Sequence, residues 1–295
     1  MKTPKGMFVP VVTPFKEDQS IDFEAFKEVI DYVVGSGLDG ILIAGSTGEY
    51  HTMTLEEQME VIKKGIEYVD GRVPVMAGVG RYTAAETIDL AKFAGDCGAT
   101  WGLVLPPYYQ ATTDENVIEF FTEIADNSPV GIVIYNNPLS TGVELDPELV
   151  ATLAKHPNIV SIKDTSDMIH TAQTIALTRD IEDFTVFQGY EHTILPALAI
   201  GAEGGFAILM NALPKEYVKL YDLVKQNKWK EAADFSMDMA KLYTAMEAEP
   251  YPAPVKAMMQ LLGVPGGVCR KPLPDASAEL KASMKEELKK LGYDL

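Results

Sequence analysis

The chain has 295 residues, 47% of them hydrophobic, and carries a formal net charge of −18 at pH 7. This length is enough to bury the core of one large α/β domain with an appendage, or of two smaller domains. The negative charge repels phosphate backbones, so nucleic-acid binding is not expected, and no apolar run reaches the roughly 18 residues of a membrane span.

Cysteine and histidine are sparse. Cys97 and Cys269 cannot form a disulfide framework, and the four histidines share no spacing typical of a zinc site. We therefore expect no bound metal. Pro10 and Pro14 interrupt the N-terminal apolar run, and no small-residue cleavage site follows it, so we interpret this run as a first strand in a cytoplasmic protein.

Eight short apolar runs rich in β-branched residues recur along the chain and predict β-strands. Most of them lack the polar alternation of half-exposed antiparallel strands, which is typical of parallel strands covered on both faces. The predicted strands span residues 6–15, 40–45, 73–80, 101–107, 130–138, 159–165, 184–190 and 201–209.

The segments between these runs carry helix signals. Three capping boxes lie 29 residues apart, each shortly after a predicted strand. They are formed by Thr54 with Glu57, Thr83 with Glu86, and Thr112 with Glu115. Asp146 followed by Pro147 predicts another helix start.

This alternation of strand and helix predicts the fold class, α/β. Eight strand-plus-helix units of about 30 residues fit a closed (β/α)8 TIM barrel better than an open doubly wound sheet, and no dinucleotide-type glycine motif follows a strand. We assign residues 1–225 to this catalytic barrel. Residues 226–295 are predicted to form a C-terminal helical appendage, with helices at 228–246, 254–262 and 276–291.

In such a barrel, catalytic groups project from the carboxyl ends of the strands. Lys163 follows the apolar run 159–162, and a lysine is rarely buried without a role. A neutral amine there can attack a ketone to form an imine, an electron sink for making or breaking a C–C bond. The alternative is a strand-end lysine whose ammonium group reaches solvent.

Two other groups end neighbouring predicted strands. Tyr135, one strand before Lys163, can carry protons between imine, substrate hydroxyl and water, although a strand-end tyrosine often only packs its ring. The turn 45–49, GSTGE, offers backbone N–H groups and the hydroxyls of Ser46 and Thr47 to a small carboxylate. Turns of this composition are also common as plain connections between a strand and a helix. Taken together, these residues match the needs of a 2-keto acid Schiff-base enzyme.

At this point the chain resembles the N-acetylneuraminate lyase and dihydrodipicolinate synthase family. The resemblance runs from Gly6 to the C-terminal helices. Its markers are the stretches PVVTPF, GSTGE, RVPVMAGVG, PPYY, YNNPLSTG, IVSIKDT, QGY and EPYPAPVKAMM.

The resemblance implies a role for each of several residues. Lys163 would be the Schiff-base lysine and Tyr135 the proton-relay phenol, while Ser46 and Thr47 would hold the pyruvate carboxylate, with Thr47 also on the relay. Tyr109 matches a tyrosine that members lend to a neighbouring subunit's site. The family is usually a homotetramer, needs no metal or cofactor, and generates or consumes pyruvate together with an aldehyde.

The second substrate is the open question. The synthases of lysine biosynthesis carry an arginine two residues after the proline of the YNxP stretch, where Ser140 stands here. A hydroxyl cannot replace a bidentate guanidinium–carboxylate pair, which argues against that synthase activity. The sialic-acid lyases have a Gly-Tyr followed by two acidic residues, a pattern that Gly189 and Glu191 meet only in part because His192 breaks it.

The apolar stretch 206–210, which includes Ile208, lacks the hydroxyls that would meet a polyhydroxylated chain. It either packs in the barrel or lines a pocket for a less polar aldehyde. The segments IKDTSD and QGYEH look most like the 2-keto-3-deoxygluconate-type aldolases.

Our first hypothesis is therefore a Schiff-base-forming, pyruvate-dependent aldolase or lyase that cleaves or forms a 4-hydroxy-2-keto acid of the 2-keto-3-deoxy type. The alternatives are an N-acetylneuraminate lyase or a dihydrodipicolinate synthase, the latter disfavoured by Ser140. A hypothesis of another class is a non-catalytic barrel that binds a keto acid. The presence of both Lys163 and Tyr135 argues against it, because a binding module needs neither.

Overall fold

The computed structural model of the chain describes residues 3–110 and 112–295. Its eight strands form a closed barrel in which spatial order follows chain order. This confirms the predicted barrel and excludes the open doubly wound sheet. The strands are β1 (Gly6–Pro10), β2 (Gly40–Ile43), β3 (Val75–Gly78), β4 (Trp101–Val104), β5 (Gly131–Asn136), β6 (Ile159–Asp164), β7 (Thr185–Gln188) and β8 (Gly204–Phe206).

All strand residues are buried, which explains why their sequences lack polar alternation. Successive strands from β3 to β8 pair in parallel, and β8 pairs in parallel with β1. The register between β5 and β6 sets Tyr135 opposite Lys163 and Asn136 opposite Asp164. Several observed strands are shorter than the predicted runs; β8, for example, ends at Phe206 and is followed by a 3-10 turn at Ile208–Asn211.

Twelve α-helices lie in the described part of the chain. They are α1 (Phe23–Val34), α2 (Leu55–Val69), α3 (Ala84–Cys97), α4 (Asp114–Asn127), α5 (Pro138–Thr141), α6 (Pro147–Leu153), α7 (Met168–Thr178), α8 (Ile194–Ala199), α9 (Pro214–Lys225), α10 (Trp229–Met246), α11 (Ala253–Leu261) and α12 (Ala278–Lys290). The last three agree within two residues with the helices predicted after residue 225. No helix among the described residues has the length and apolarity to cross a membrane.

The predicted helix starts are confirmed in part. Thr54 and Glu57 form the reciprocal capping box of α2, and the Thr83 hydroxyl accepts from the Glu86 N–H at the start of α3. The third box is wrong: Thr113, not Thr112, caps α4, and its hydroxyl accepts a hydrogen bond from Asn116. Two adjacent threonines compete for the same cap, and the sequence spacing does not decide between them.

The chain divides into two compact units. The first comprises the residues up to Phe8 together with Pro74–Phe206, and the second comprises Val9–Val73 with Ala207–Leu295. The first unit therefore contains β3 to β8, and the second contains α1, β2, α2 and the helices from α9 onward. The predicted boundary at residue 225 stays a prediction.

The first unit has an aromatic core. The Phe8 ring lies 5.8 Å from Trp101, 5.5 Å from Phe187 and 5.4 Å from Phe206, measured between ring centroids. All four side chains are buried. Gly204 lets β8 approach β1 closely, because a Cβ at that position would lie 1.9 Å from the Gly6 carbonyl oxygen.

Candidate active site

Lys163 lies near the carboxyl end of β6, and only 5% of the residue is exposed. Its Nζ is 4.2 Å from the centroid of the Tyr135 ring and 5.0 Å from that of Phe206. Among the described residues, no carboxylate pairs with this amine and no group accepts a hydrogen bond from it. The amine is therefore held among aromatic rings without an acidic partner.

A second lysine, Lys256 on α11, is even more deeply buried, at 2% exposed, but its surroundings differ. Its Nζ lies 2.5 Å from a Glu49 carboxylate oxygen and donates to the carbonyls of Thr13 (2.8 Å) and Val268 (2.7 Å). These three acceptors match the three donors of an ammonium group. Burial lowers the pKa of Lys256, and the Glu49 carboxylate opposes that shift. Lys256 therefore acts as a structural cation.

Tyr135 lies on β5, directly opposite Lys163 in the strand register. The residue is 5% exposed, and its hydroxyl oxygen accepts a 2.9 Å hydrogen bond from the Asn137 side-chain amide. Asn137 in turn caps α5, since its side chain accepts from the Ser140 N–H. The phenol thus has a fixed position beside the amine, as a proton carrier requires.

The residues that follow this pair form a buried hydrogen-bond network. Asp164 is fully buried and accepts from Asn136 (2.9 Å), Ser166 (2.7 Å) and Thr171 (2.7 Å). His170 on α7 contacts the same carboxylate through Nδ1 at 3.0 Å. Burial alone would raise the pKa of Asp164, but the contacts with His170 and the two hydroxyls outweigh it and lower the pKa.

His170 is bonded at both ring nitrogens. While Nδ1 faces Asp164, Nε2 lies 2.7 Å from the carbonyl oxygen of Leu145. Burial alone would lower the pKa of His170, yet the hydrogen bond and charge of Asp164 raise the pKa to about 9. This imidazole is therefore charged at neutral pH.

Gly189 and Glu191 follow β7. A Cβ at Gly189 would lie 2.0 Å from the Thr165 hydroxyl and 3.3 Å from Cε of Lys163, so a side chain there would force Thr165 to move. The Gly189 N–H donates to the Asp164 carbonyl at 2.7 Å. Glu191 is buried at the start of a 3-10 turn, Glu191–Thr193.

Two predicted residues of this unit face solvent. Ser140, on α5, is exposed, and the neighbouring Leu139 is 80% exposed. Tyr109 is also 80% exposed, and it follows Tyr108, whose ring packs 5.6 Å from that of Tyr82. Neither side chain is therefore held by the core of this unit.

Ser46, Thr47 and Ile208 belong to the second unit. Ser46 and Thr47 lie in a 3-10 turn, Ser46–Gly48, and Thr47 is 3% exposed. Tyr251 donates a hydrogen bond from its hydroxyl to the Thr47 hydroxyl. Ile208 is half-buried in the 3-10 turn after β8.

The turn that carries Ser46 and Thr47 is braced at its end by Glu49. Glu49 is fully buried in the left-handed region, with φ of 58°. Its carboxylate pairs with Lys256 and accepts from the backbone N–H of Arg270 at 2.8 Å. Lys256 on α11 and the backbone of Arg270, between α11 and α12, therefore hold the residue that ends the predicted carboxylate-binding turn.

The residues that sequence reasoning missed are the supporting ones. Asp164 and Lys256 both stand inside family markers, IKDT and EPYPAPVKAMM, yet nothing in those stretches names their partners. His170 lies three residues after Asp167, which caps α7 through its side chain. A single histidine in the first turn of a helix does not indicate a supporting role by itself. That role becomes visible only when the groups that accept its hydrogen bonds are known.

Comparison with known proteins places the chain in a family. A family model described as the dihydrodipicolinate synthetase family matches residues 3–291, and the chain belongs to this family. It is therefore a carbon–carbon lyase of that family. A 4-hydroxy-tetrahydrodipicolinate synthase of Methanoculleus marisnigri is 39% identical over 97% of this chain and 98% of its own length. One from Methanocaldococcus jannaschii is 35% identical over 98% of this chain and 99% of its own.

Solved structures of the same family also superimpose on this chain. A dihydrodipicolinate synthase from Thermotoga maritima superimposes with a TM-score of 0.94 at 30% identity, covering 98% of this chain and 99% of the other. YagE from E. coli K12, a prophage protein of the same family solved in complex with pyruvate, gives a TM-score of 0.94 at 31% identity, covering 97% and 98%.

These findings correct one expectation. The predicted closeness to the 2-keto-3-deoxygluconate-type aldolases is not confirmed, because both curated relatives named above are 4-hydroxy-tetrahydrodipicolinate synthases. They support the synthase alternative better than the aldolase hypothesis. That expectation depended on Ser140 and on the short segments IKDTSD and QGYEH, whereas the identity to the synthases extends over nearly the whole chain.

Proposed function

We propose that the chain joins pyruvate to an aldehyde, or releases pyruvate from the corresponding adduct, through a Schiff base on Lys163. One observation carries this proposal: Lys163 is buried against Tyr135, and no described carboxylate neutralises it. The other buried lysine has all its donors occupied. An amine without such partners can lose its proton and attack a ketone.

The reaction begins when the Lys163 nitrogen adds to C2 of pyruvate and water leaves, which forms an imine. Loss of a proton from C3 then gives an enamine, whose C3 attacks the aldehyde carbon. Tyr135 delivers a proton to the resulting alkoxide, and water hydrolyses the imine to release the product. In the cleavage direction, Tyr135 takes the C4 hydroxyl proton as the C3–C4 bond breaks.

The first candidate reaction is that of the relatives, 4-hydroxy-tetrahydrodipicolinate synthesis. It is supported by identities of up to 39% that extend over nearly the whole chain. The product is a hydroxylated cyclic imine with two carboxylates, so pyruvate must meet an aldehyde that carries an amino group and a carboxylate, namely 2-amino-4-oxobutanoate. After the C–C bond has formed, this amino group attacks C2 of the Lys163 imine and displaces the lysine amine, which closes the ring in place of hydrolysis.

The second candidate is formation or cleavage of a 4-hydroxy-2-keto acid of the 2-keto-3-deoxy type. Ser140 favours it, because this exposed hydroxyl stands where the synthases of lysine biosynthesis carry an arginine for the second carboxylate. A neutral hydroxyl binds a carboxylate more weakly than a guanidinium does. An aldehyde that lacks such a carboxylate does not need the arginine.

The remaining roles follow the family resemblance. Ser46 and Thr47 bind the pyruvate carboxylate, and Gly189, Glu191 and Ile208 contact the substrate. Tyr109 completes the site of another subunit in a homotetramer. The reaction needs no metal or cofactor and takes place in the cytoplasm, with residues 1–225 as the catalytic barrel and 226–295 as the helical extension.

The decisive experiment is the intact mass of the protein after incubation with pyruvate and borohydride. We expect one trapped adduct per chain in the wild type and none in Lys163→Ala. Lys219 on α9 provides a matched control, because it is exposed but its Nζ also lies over an aromatic ring, 4.3 Å from the Phe235 centroid. The variant Lys219→Ala should still form the trapped adduct. An absent wild-type adduct would overturn the proposal in favour of a binding barrel.

The two candidates are separated by supplying pyruvate with either 2-amino-4-oxobutanoate or neutral hydroxyaldehydes. Turnover of the amino aldehyde at a kcat/KM at least about tenfold above the others identifies the synthase, since tenfold corresponds to roughly 1.4 kcal/mol of transition-state discrimination. The variant Ser140→Arg sharpens the test. It should raise kcat/KM for the carboxylated aldehyde and leave imine trapping unchanged.

A further inference from the structure

We propose that His170, protonated on both ring nitrogens, is a positioning residue that ties the segment 137–145 to the carboxyl ends of β5 and β6. The inference deepens the proposed function and rests on it, because this segment carries Ser140 and begins two residues after Tyr135. All the residues concerned belong to the first unit.

The charge state follows from counting donors and acceptors. The ring of His170 faces a carboxylate oxygen of Asp164 at 3.0 Å and the carbonyl oxygen of Leu145 at 2.7 Å. Both partners are acceptors, and a neutral imidazole has only one N–H to donate. Both hydrogen bonds therefore form together only when the ring is an imidazolium. Burial strengthens this requirement, because an unmatched pair of acceptors is costly away from water.

The segment is pinned at its two ends. At the first end, Asn137 bonds the Tyr135 hydroxyl and caps α5. At the second end, Leu145 is 1% exposed and both of its backbone polar groups are bonded: its N–H donates to Asn136 Oδ1 at 3.2 Å, and its carbonyl accepts from His170. The exposed residues of α5 lie between these two points, so the clamp at Leu145 limits how far α5 can move.

The same network joins the two strands that carry the reacting groups. Successive side chains of a strand point to opposite faces, so Asn136 and Asp164 lie on the face opposite Tyr135 and Lys163. Their side chains are bonded at 2.9 Å, one residue beyond the reacting pair. Lys163 is also fixed by backbone pairing with β5 and β7. Loss of the clamp should therefore affect the segment 137–145 more than the lysine itself.

The clamp depends on pH. The charged groups around the ring are Asp164 on β6, Glu144 in the pinned segment, and Asp167 at the start of the same helix. Because the pKa of His170 is raised from 6.5 to about 9, the clamp is fully present below pH 6.5 and is lost as the pH rises through about 9. One of the two hydrogen bonds must then break.

Hydrogen exchange followed by mass spectrometry tests the clamp without depending on activity. In His170→Asn, the amide extends about as far as Nδ1 of the ring and is too short to reach Leu145. Amides of the segment 137–145 should therefore exchange at least about tenfold faster than in the wild type. The matched control is Ser166→Ala, which removes another donor to Asp164 but leaves His170 and Leu145 in place. Its exchange should stay within about twofold of the wild type.

Kinetics provide the second measurement. We expect KM for the aldehyde to rise about tenfold in His170→Asn, while the rate of pyruvate imine trapping changes by less than about threefold. If the wild type itself forms no imine, the proposed function fails, but the exchange experiment still tests the clamp. Wild-type exchange in a folded His170→Asn protein would overturn the clamp and leave the Schiff-base function untouched.

A third measurement, made on the wild-type protein, tests the proposal even if His170→Asn does not fold. The ¹⁵N ring signals of His170 in the wild-type protein can be assigned by substituting the other three histidines in turn. At pH 7 both ring nitrogens should be protonated, and the signals should titrate close to pH 9. A neutral tautomer at pH 7 would overturn the proposal.

Discussion

At the scale of single residues, Lys163 and Lys256 are similarly buried but have different partners, so burial alone does not distinguish the proposed Schiff-base lysine from a structural one. Both side chains are at least nine-tenths removed from solvent. Lys256 meets one carboxylate and two carbonyls, which hold it as a cation. Lys163 meets the rings of Tyr135 and Phe206 and, among the described residues, no carboxylate. The two lysines thus differ in their partners and not in their depth.

Tyr135→Phe tests the phenol directly. The ring that packs 4.2 Å from the Lys163 amine is kept, whereas the hydroxyl is removed together with its bond to Asn137. Because general acid–base catalysis contributes about 10²–10⁴-fold, kcat should fall by about 100-fold or more. Steady-state kinetics and the rate of borohydride trapping measure the effect.

The control for that variant is Tyr68→Phe, a tyrosine of α2 whose ring packs 6.2 Å from Phe26. It should keep wild-type turnover. A Tyr135→Phe enzyme with kcat within a few-fold of the wild type would rule out the phenol as the principal proton carrier.

At the scale of elements, α11 and the turn after β2 are joined by one buried ion pair. Lys256 on α11 and Glu49 beyond the Ser46–Gly48 turn are 2% and 0% exposed in their side chains. Removing one partner leaves the other as an uncompensated charge away from water. The pair therefore matters for the conformation of the turn as well as for stability.

Lys256→Met should lower the free energy of unfolding by about 3–5 kcal/mol, the range found when a buried pair loses one partner. Urea denaturation measures this change. The double variant Lys256→Met with Glu49→Gln should recover part of the loss, because no charge is then left unpaired.

A surface pair gives the comparison. Lys230 and Asp234 lie one turn apart on α10 with side chains 88% and 70% exposed, so Lys230→Met should change the unfolding free energy by less than about 1 kcal/mol. Equal effects of the two lysine substitutions would mean that the Lys256–Glu49 pair has no special structural role.

At the scale of the whole molecule, Tyr109 bears on assembly. It is 80% exposed and adjoins the packed rings of Tyr82 and Tyr108, so the side chain has contacts to gain from another copy of the chain. We expect Tyr109→Phe to reduce turnover by at least about tenfold, because the variant loses a hydroxyl that is proposed to transfer a proton in the site of another subunit. Pyruvate imine trapping should change little. Kinetics and sedimentation analysis, run on the same samples, separate loss of the hydroxyl from loss of assembly.

The shared-site hypothesis also predicts that wild-type activity falls on dilution in step with dissociation. Full turnover in Tyr109→Phe, or in a dilute monomer, would contradict it. Tyr82→Phe serves as the control, since it changes a neighbouring exposed tyrosine by the same single hydroxyl.

Much of the architecture could be predicted from the sequence because its signals are local. Apolar runs, capping residues and the spacing between them predicted eight strands and the helices from Lys228 onward, and the closed barrel confirms this order. Tyr135 and Lys163 became candidates because each closes an apolar run, and parallel pairing brings adjacent strand ends together. Boundaries were less accurate, as at Thr113, where neighbouring residues offer the same cap.

Local sequence patterns were enough to predict the family and the alternation of strands and helices, and to select Tyr135 and Lys163 as candidates for Schiff-base chemistry. Only the tertiary structure decided which buried lysine lacks an acidic partner and which groups support the site. Tyr251 and Thr47 are 204 residues apart, and His170 meets Leu145 across 25 residues. Such contacts depend on how elements pack in three dimensions, and no local pattern of side chains encodes them.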